Sequence, residues 1–208
     1  MSRKPHSRFL TALAAGGVAL ALSQAAQAQD AQRIRVRGAI ESLSGDTLVV
    51  RTREGNDATV ALKAGWKVGG IKKASVEDIK PGDFVGVASL PKGTGPDGAI
   101  EVLIFPASMK GTGEGNRPWD AQRNSQMTNA TVSNAVKSVD GHTITLTYEG
   151  KEKTISIADG TPIVTLAPAT KDDLKPGAGV VVTGEKGADG SISASQIAVG
   201  LNGVIPPM

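Results

Sequence analysis

The chain has 208 residues, with 23 Lys+Arg against 20 Asp+Glu, two His, no Cys, 26 Gly and a formal charge of +3. The surplus sits entirely in Arg3, Lys4 and Arg8, because no acid precedes Asp30 and residues 29–208 carry 20 basic and 20 acidic side chains. A neutral main body removes the broad polyanion affinity that the total suggests, and the missing cysteines exclude disulfides, thiolate zinc sites and Cys nucleophiles.

Residues 1–8 form a basic segment, Phe9 to Leu22 an apolar run rich in Ala and Leu, and Ala26-Gln27-Ala28 a small-x-small cleavage pattern. Together they read as a secretory signal peptide cleaved near Ala28. The run is short of the roughly 20 apolar residues that span a bilayer, and no later segment reaches even that length. The expected product is soluble, not membrane-spanning, and periplasmic or extracellular.

The rest of the chain repeats itself. Ala39-Ile40-Glu41-Ser42-Leu43-Ser44-Gly45-Asp46-Thr47-Leu48 aligns with Ala135-Val136-Lys137-Ser138-Val139-Asp140-Gly141-His142-Thr143-Ile144 at an offset of 96. Asp78-Ile79-Lys80-Pro81-Gly82 aligns with Asp173-Leu174-Lys175-Pro176-Gly177 at 95, and Asp97-Gly98 with Asp189-Gly190 at 92. A collinear series whose offset changes only at Gly-rich connections marks a duplicated unit. The expected domains are 33–106 and 130–200, with an inter-domain segment at 107–129 and a tail at 201–208.

Inside each unit the apolar period is two: Ile34 and Val36 alternate with Arg33, Arg35 and Arg37, and Ile144, Leu146 and Tyr148 alternate with threonines. That is the pattern of half-buried strands, and Gly45-Asp46, Gly141-His142, Glu54-Gly55 and Glu149-Gly150 supply the hairpin turns. Third strands are expected at Thr59 to Leu62 and Thr154 to Ile157, fourth at Phe84 to Leu90 and Val180 to Thr183, and fifth at Ala99 to Phe105 and Ser191 to Val199. Between the third and fourth, Ser75-Val76-Glu77-Asp78 and Thr170-Lys171-Asp172-Asp173 place a hydroxyl three residues before an acid, followed by Pro-Gly, which suits one capped helical turn. The expected fold is all-β: two tandem five-stranded barrels, of oligonucleotide/oligosaccharide-binding (OB-like) or meander type, each with a short helical turn between strands 3 and 4.

The sequence Asp-Ile/Leu-Lys-Pro-Gly-x-x-Val-x-Val at Asp78 and Asp173, with Asp-Gly-x-Ile at Asp97 and Asp189, resembles a widespread family of secreted bacterial domains of unknown function, often in tandem copies. The likeness covers about two thirds of the chain. It implies the fold rather than an activity, and some similar proteins carry transport-related names, including metal-transporter permease. A chain without spanning helices would serve transport only as a soluble accessory.

Few groups suited to catalysis follow the leader. His142 is the lone histidine there, and its position after Asp140-Gly141 suits a solvated turn. The acid pairs Glu77-Asp78 and Asp172-Asp173 suit a first helical turn better than a cation site. Lys110 to Asp120 is Gly-rich but lacks the Gly-Lys-Ser/Thr of a phosphate loop, so no cofactor is expected. Nucleic acid is not an expected partner either, since the barrels lack a basic groove lined with stacking aromatics.

Two features remain. Arg33, Arg35 and Arg37 share a strand face, and pairing about Gly45 sets Arg53 opposite Arg37 with Arg51 nearby, a cluster of like charge suited to an anionic glycan. Trp119 lies in the inter-domain segment, where it is expected to pack between the barrels and form, with Glu114 and Asp120, a site at the junction. The expected function is a non-enzymatic binding or scaffold protein of the bacterial envelope, contacting an envelope protein or an anionic glycan; a soluble transport accessory is the alternative.

Overall fold

The computed structural model describes residues 32–138 and 141–206; the expected signal peptide, residues 1–28, and the last two residues of the expected tail lie outside them. Among the described residues, twelve strands and three single 3-10 turns make an all-β protein. Strands β1 (Gln32–Ser44), β2 (Thr47–Thr52) and β3 (Asp57–Lys73) follow one another through tight hairpins. The first turns at Gly45-Asp46, where Ser44 faces Thr47, and Gly45 takes a φ of 56° that only a residue without Cβ adopts cheaply. On its other side β1 pairs with β11 (Gly179–Lys186), which pairs with β12 (Ile192–Gly200). Parallel pairing of β12 with β3, from Ile192 opposite Val60 to Gly200 opposite Ile71, closes a five-stranded barrel.

The remaining strands form a second array, in which β5 (Asp97–Ile104), β4 (Phe84–Leu90), β7 (Gln126–Ser138), β8 (Gly141–Tyr148) and β9 (Lys151–Ile157) are successive neighbours. Its end strands meet where Asp97 and Gly98 face Ile155 and Ser156. β6 (Gly115–Pro118) pairs outside β7, and β10 (Ile163–Pro168) links the two arrays by pairing with both β3 and β5.

The expected domains at 33–106 and 130–200 are therefore not separate barrels. The closed barrel takes β1 to β3 from the first sequence unit and β11 and β12 from the second, whereas the other array takes β4 and β5 from the first and β7 to β9 from the second. The cause is the length of β3. It does not stop near Leu62 but continues through a bulge at Lys63 to Trp66 and on to Lys73, carrying the chain out of its own barrel. Its outer half then pairs with β10, and the register is symmetric: Ile71 faces Leu166, Lys73 faces Val164 and Gly69 faces Pro168. The repeat offset of 95 equates Ile71 with Leu166 and carries the Gly69–Pro168 pair onto the Val164–Lys73 pair, so the pairing is centred on a pseudo-two-fold axis between the duplicated units. Gly70 suits the close approach beside it, because a Cβ there would stand 2.7 Å from Leu201 Cδ1 and 3.1 Å from the Ala167 carbonyl oxygen.

The cores follow the exchanged strands. Val36, Ile40, Leu48, Val50 and Val60 pack with Leu174, Val180, Val182 and Val199 inside the barrel. Ile79, Val85, Val87 and Val102 pack with Val132, Ile144, Leu146 and Ile155 in the second array. Ile71, Leu103 and Val164 form a third cluster at the junction, flanked by Phe105 and Leu166.

The 3-10 turns at Val76–Asp78 and Lys171–Asp173 precede Ile79 and Leu174, each of which enters one of the cores. Asp78 accepts hydrogen bonds from the Ser75 backbone N–H (2.8 Å) and hydroxyl (3.0 Å), and Asp173 does the same with Thr170 at 2.7 and 3.2 Å. The Ser75 backbone donor holds the Asp78 carboxyl below its usual pKa. Among the described residues no group of three His, Asp or Glu side chains is placed to hold a metal ion. Gly141-His142 is not a hairpin turn: the register sets Ser138 opposite Gly141, so both residues begin β8, and the intervening Val139 and Asp140 lie outside the described residues.

Candidate functional site

The segment 107–129 is ordered by its own hydrogen bonds. A 3-10 turn at Ala107–Met109 leads to β6, which lies on β7 from Gly115 opposite Asn129 to Pro118 opposite Gln126. The Trp119 backbone N–H donates to the Ser125 carbonyl at 2.9 Å, and the buried Ser125 hydroxyl reaches the Trp119 and Gln122 carbonyls at 3.0 and 2.7 Å. This closes a strap over residues 119–125 that aims two adjacent side chains at the closed barrel.

Asp120 lands between two of the arginines. Arg37 Nη2 meets Asp120 Oδ1 at 2.7 Å, and Arg35 Nη1 meets Oδ2 at 3.3 Å. Burial works to raise the Asp120 pKa, but hydrogen bonds and charge from Arg37, then from Arg35, outweigh it and hold the carboxyl below its ordinary value. Trp119 is half-buried and carries the Arg35 guanidinium 4.0 Å from its ring centroid and that of Arg117 at 5.9 Å, the arrangement in which a ring quadrupole attracts a cation.

Beneath them lies Glu101 of β5, only 3% exposed. Burial pushes its pKa up to about 7, opposed by the charges of Arg37 and Arg53. The Trp119 indole N–H approaches closely enough to favour the ionised carboxylate, yet neither Trp119 Nε1 nor Glu101 Oε1 completes a well-formed hydrogen bond, and Arg37 Nε is also buried without a partner. Three unsatisfied polar atoms at one place carry a desolvation penalty. Glu101 belongs to no catalytic motif, and its only mark in the sequence is that an acid interrupts the apolar run Ala99-Ile100-Glu101-Val102-Leu103-Ile104. Its counterpart by strand register is Gln196, which faces Thr183 as Glu101 faces Ala88 and keeps the shape without the charge.

The five arginines do not make one open face. The expected cross-strand placement is present, since the Arg53 N–H donates to the Arg37 carbonyl. Each charge nevertheless has its own surroundings: Arg35 and Arg37 hold Asp120, Arg51 pairs with Asp57 and Glu41, Arg53 donates to the Pro206 carbonyl, and Arg33 lies opposite Glu185. Like charges across a ladder are tolerated because acids from other segments separate them. Glu114 is not part of the junction either. Its carboxylate accepts the Glu149 backbone N–H at 3.0 Å, at the β8–β9 turn, because β6 runs away from Trp119 toward that hairpin.

A cleft of about 480 Å3 opens beside the strap, between the barrel wall and the second array. One wall is a row across four neighbouring strands, in which Arg35 faces Thr183, Thr183 faces Gln196 and Gln196 faces Lys67. Gly86, Leu103, Phe105 and Met127 of the second array line it too, together with Leu166, Trp119 and Arg117. Gly69 also lines it, and a Cβ built there meets no atom within 4 Å. The fold and this cleft define an all-β protein with a closed five-stranded barrel and a concave, largely apolar seat. No protein-family model, curated protein or solved structure matches the chain.

Proposed function

We propose that the chain is a non-enzymatic binding protein of the bacterial envelope, acting in the periplasm or the medium, with the cleft between two intertwined five-stranded barrels as its ligand seat. The observation that carries this reading is the cleft itself: concave, walled by side chains from both duplicated units, and edged by a few polar groups, as small-molecule sites usually are. The secreted location rests on the basic, apolar and Ala-x-Ala pattern of residues 1–28. The non-enzymatic part rests on the thin inventory of nucleophiles and bases after that segment. The transport-accessory alternative rests on the family resemblance alone.

Filling the seat tests the reading. Gly69→Leu adds a side chain into open space at a strand position that lacks positive φ, so the fold is expected to hold. The parent should bind the neutral apolar dye Nile red with enhanced emission, and Gly69→Leu should lose that binding while keeping its circular dichroism. Equal dye binding by the two proteins would reject the cleft as the seat.

A further inference from the structure

The cleft carries a charge pattern that its apolar lining does not require. Three of its side chains, Arg35, Lys67 and Arg117, are cationic, and no carboxylate lines it. The Lys67 ammonium has no ion pair or hydrogen bond among the described residues, and Asp120 engages only Nη1 of Arg35, leaving Nε and Nη2 of that guanidinium without a hydrogen bond among them. Arg117 spends Nη1 on the Gly113 carbonyl at 2.9 Å and has no acidic partner among the described residues. Asp120 lies on the far side of Arg35, in the neighbouring hollow with Arg37 and Arg53. The positive field of the cleft is therefore only partly cancelled, in a chain whose 20 acids balance its 20 bases after residue 28.

Resting on the reading of the cleft as a ligand seat, we infer that its ligand is a single-chain amphipathic anion, whose acidic head lies between Arg35 and Arg117 and whose apolar body lies along Leu103, Phe105, Met127 and Leu166. Both guanidiniums lie over the Trp119 ring, 4.0 and 5.9 Å from its centroid, which gathers them at the part of the cleft that Trp119 lines. Lys67 stands three strands away from Arg35, roughly 14 Å at the usual spacing of about 4.8 Å, so it adds to the field without reaching the same head group. A planar guanidinium suits a carboxylate, sulfate or phosphate monoester alike, and the apolar wall selects for a hydrocarbon attached to it. Asp120 is the internal model of that head: a carboxylate already accepted by Arg35 and Arg37 from a strap that ends at the cleft.

Displacement of bound Nile red by decanoate, decanol and decyltrimethylammonium tests the head-group charge at constant chain length. Decanoate should displace the dye at about tenfold lower concentration than decanol, and decyltrimethylammonium should be the weakest. Raised salt should weaken decanoate and leave decanol unchanged. Arg117→Gln, which leaves the Asp120 ion pairs intact, should remove most of the decanoate advantage; Arg35→Gln should do the same. Because Arg35 also holds the strap, Arg117→Gln is the deciding variant. Equal displacement by all three probes, or a decanoate preference that survives Arg117→Gln, overturns the anion assignment while the seat stands. Absence of Gly69-dependent dye binding overturns the seat, and the assignment with it.

Discussion

Glu101 is the side chain whose protonation couples most directly to folding. Its carboxyl ionises at about 7 in the folded protein against an ordinary value of 4.5, chiefly because burial disfavours the charge. Below about pH 4.5 both folded and unfolded states hold the proton. Between the two values only the folded state holds it, so unfolding releases a proton and stability falls as pH rises; above about 7 the loss is complete. The change amounts to about 3 kcal/mol across the window. Glu101→Gln keeps the shape and removes the titration, so its stability minus that of the parent should grow from pH 5 to pH 8 in urea denaturation. Parallel profiles for the two proteins would show that Glu101 stays ionised in the fold. The residue was legible as an oddity in β5, but the reason for its burial was not, because Arg37, Arg53 and Trp119 reach it from segments far away in sequence.

At the scale of elements, short-range signals were readable and partner choice was not. The Gly45-Asp46 turn, the Arg37 to Arg53 placement, the inward Ile144 and Leu146 and the acid caps at Asp78 and Asp173 all follow from neighbours a few residues apart. The outer half of β3 and the whole of β10 were missed. Only one capped turn is expected between Leu62 and Phe84, whereas Gly65, with a φ of 75°, sits in the β3 bulge and Gly70 in a close approach to Leu201 and Ala167. Alternation says which face of a strand is buried but not which strand lies beside it, and two similar units offer similar partners. The β3–β10 pair is the element that fixes the exchange. Ile71, fully buried on it, packs in the junction cluster with Leu103 and Val164. Ile71→Ala should cost about 3 kcal/mol, and the loss should appear equally in Trp66 fluorescence from the barrel and in amide exchange at Leu146 of the second array. A loss confined to one of these probes would mean that the junction does not couple the two arrays.

For the molecule as a whole, exchanged strands change what each half of the sequence is able to do. A tandem arrangement would let residues 32–106 close a barrel alone, since that stretch contains β1 to β5. In the structure those strands are divided, and every core above the junction mixes residues from both units. Neither half buries its apolar faces without the other, and the ordering entropy of a 75-residue segment exceeds what half a core returns. A fragment spanning 32–110 should therefore be largely unfolded, with Trp66 emitting as in water. Addition of a fragment spanning 111–206 should restore Trp66 burial and the β-sheet circular dichroism in a concentration-dependent, one-to-one manner. The strap makes the second fragment essential to the charge balance as well, because it alone supplies Asp120 to Arg35 and Arg37. Reassociation should accordingly weaken when Asp120→Asn is carried on the second fragment, by about 1 kcal/mol for a half-exposed pair. A first fragment that folds cooperatively by itself would instead show that the units close their own barrels, and that the exchange is an alternative pairing of a tandem protein.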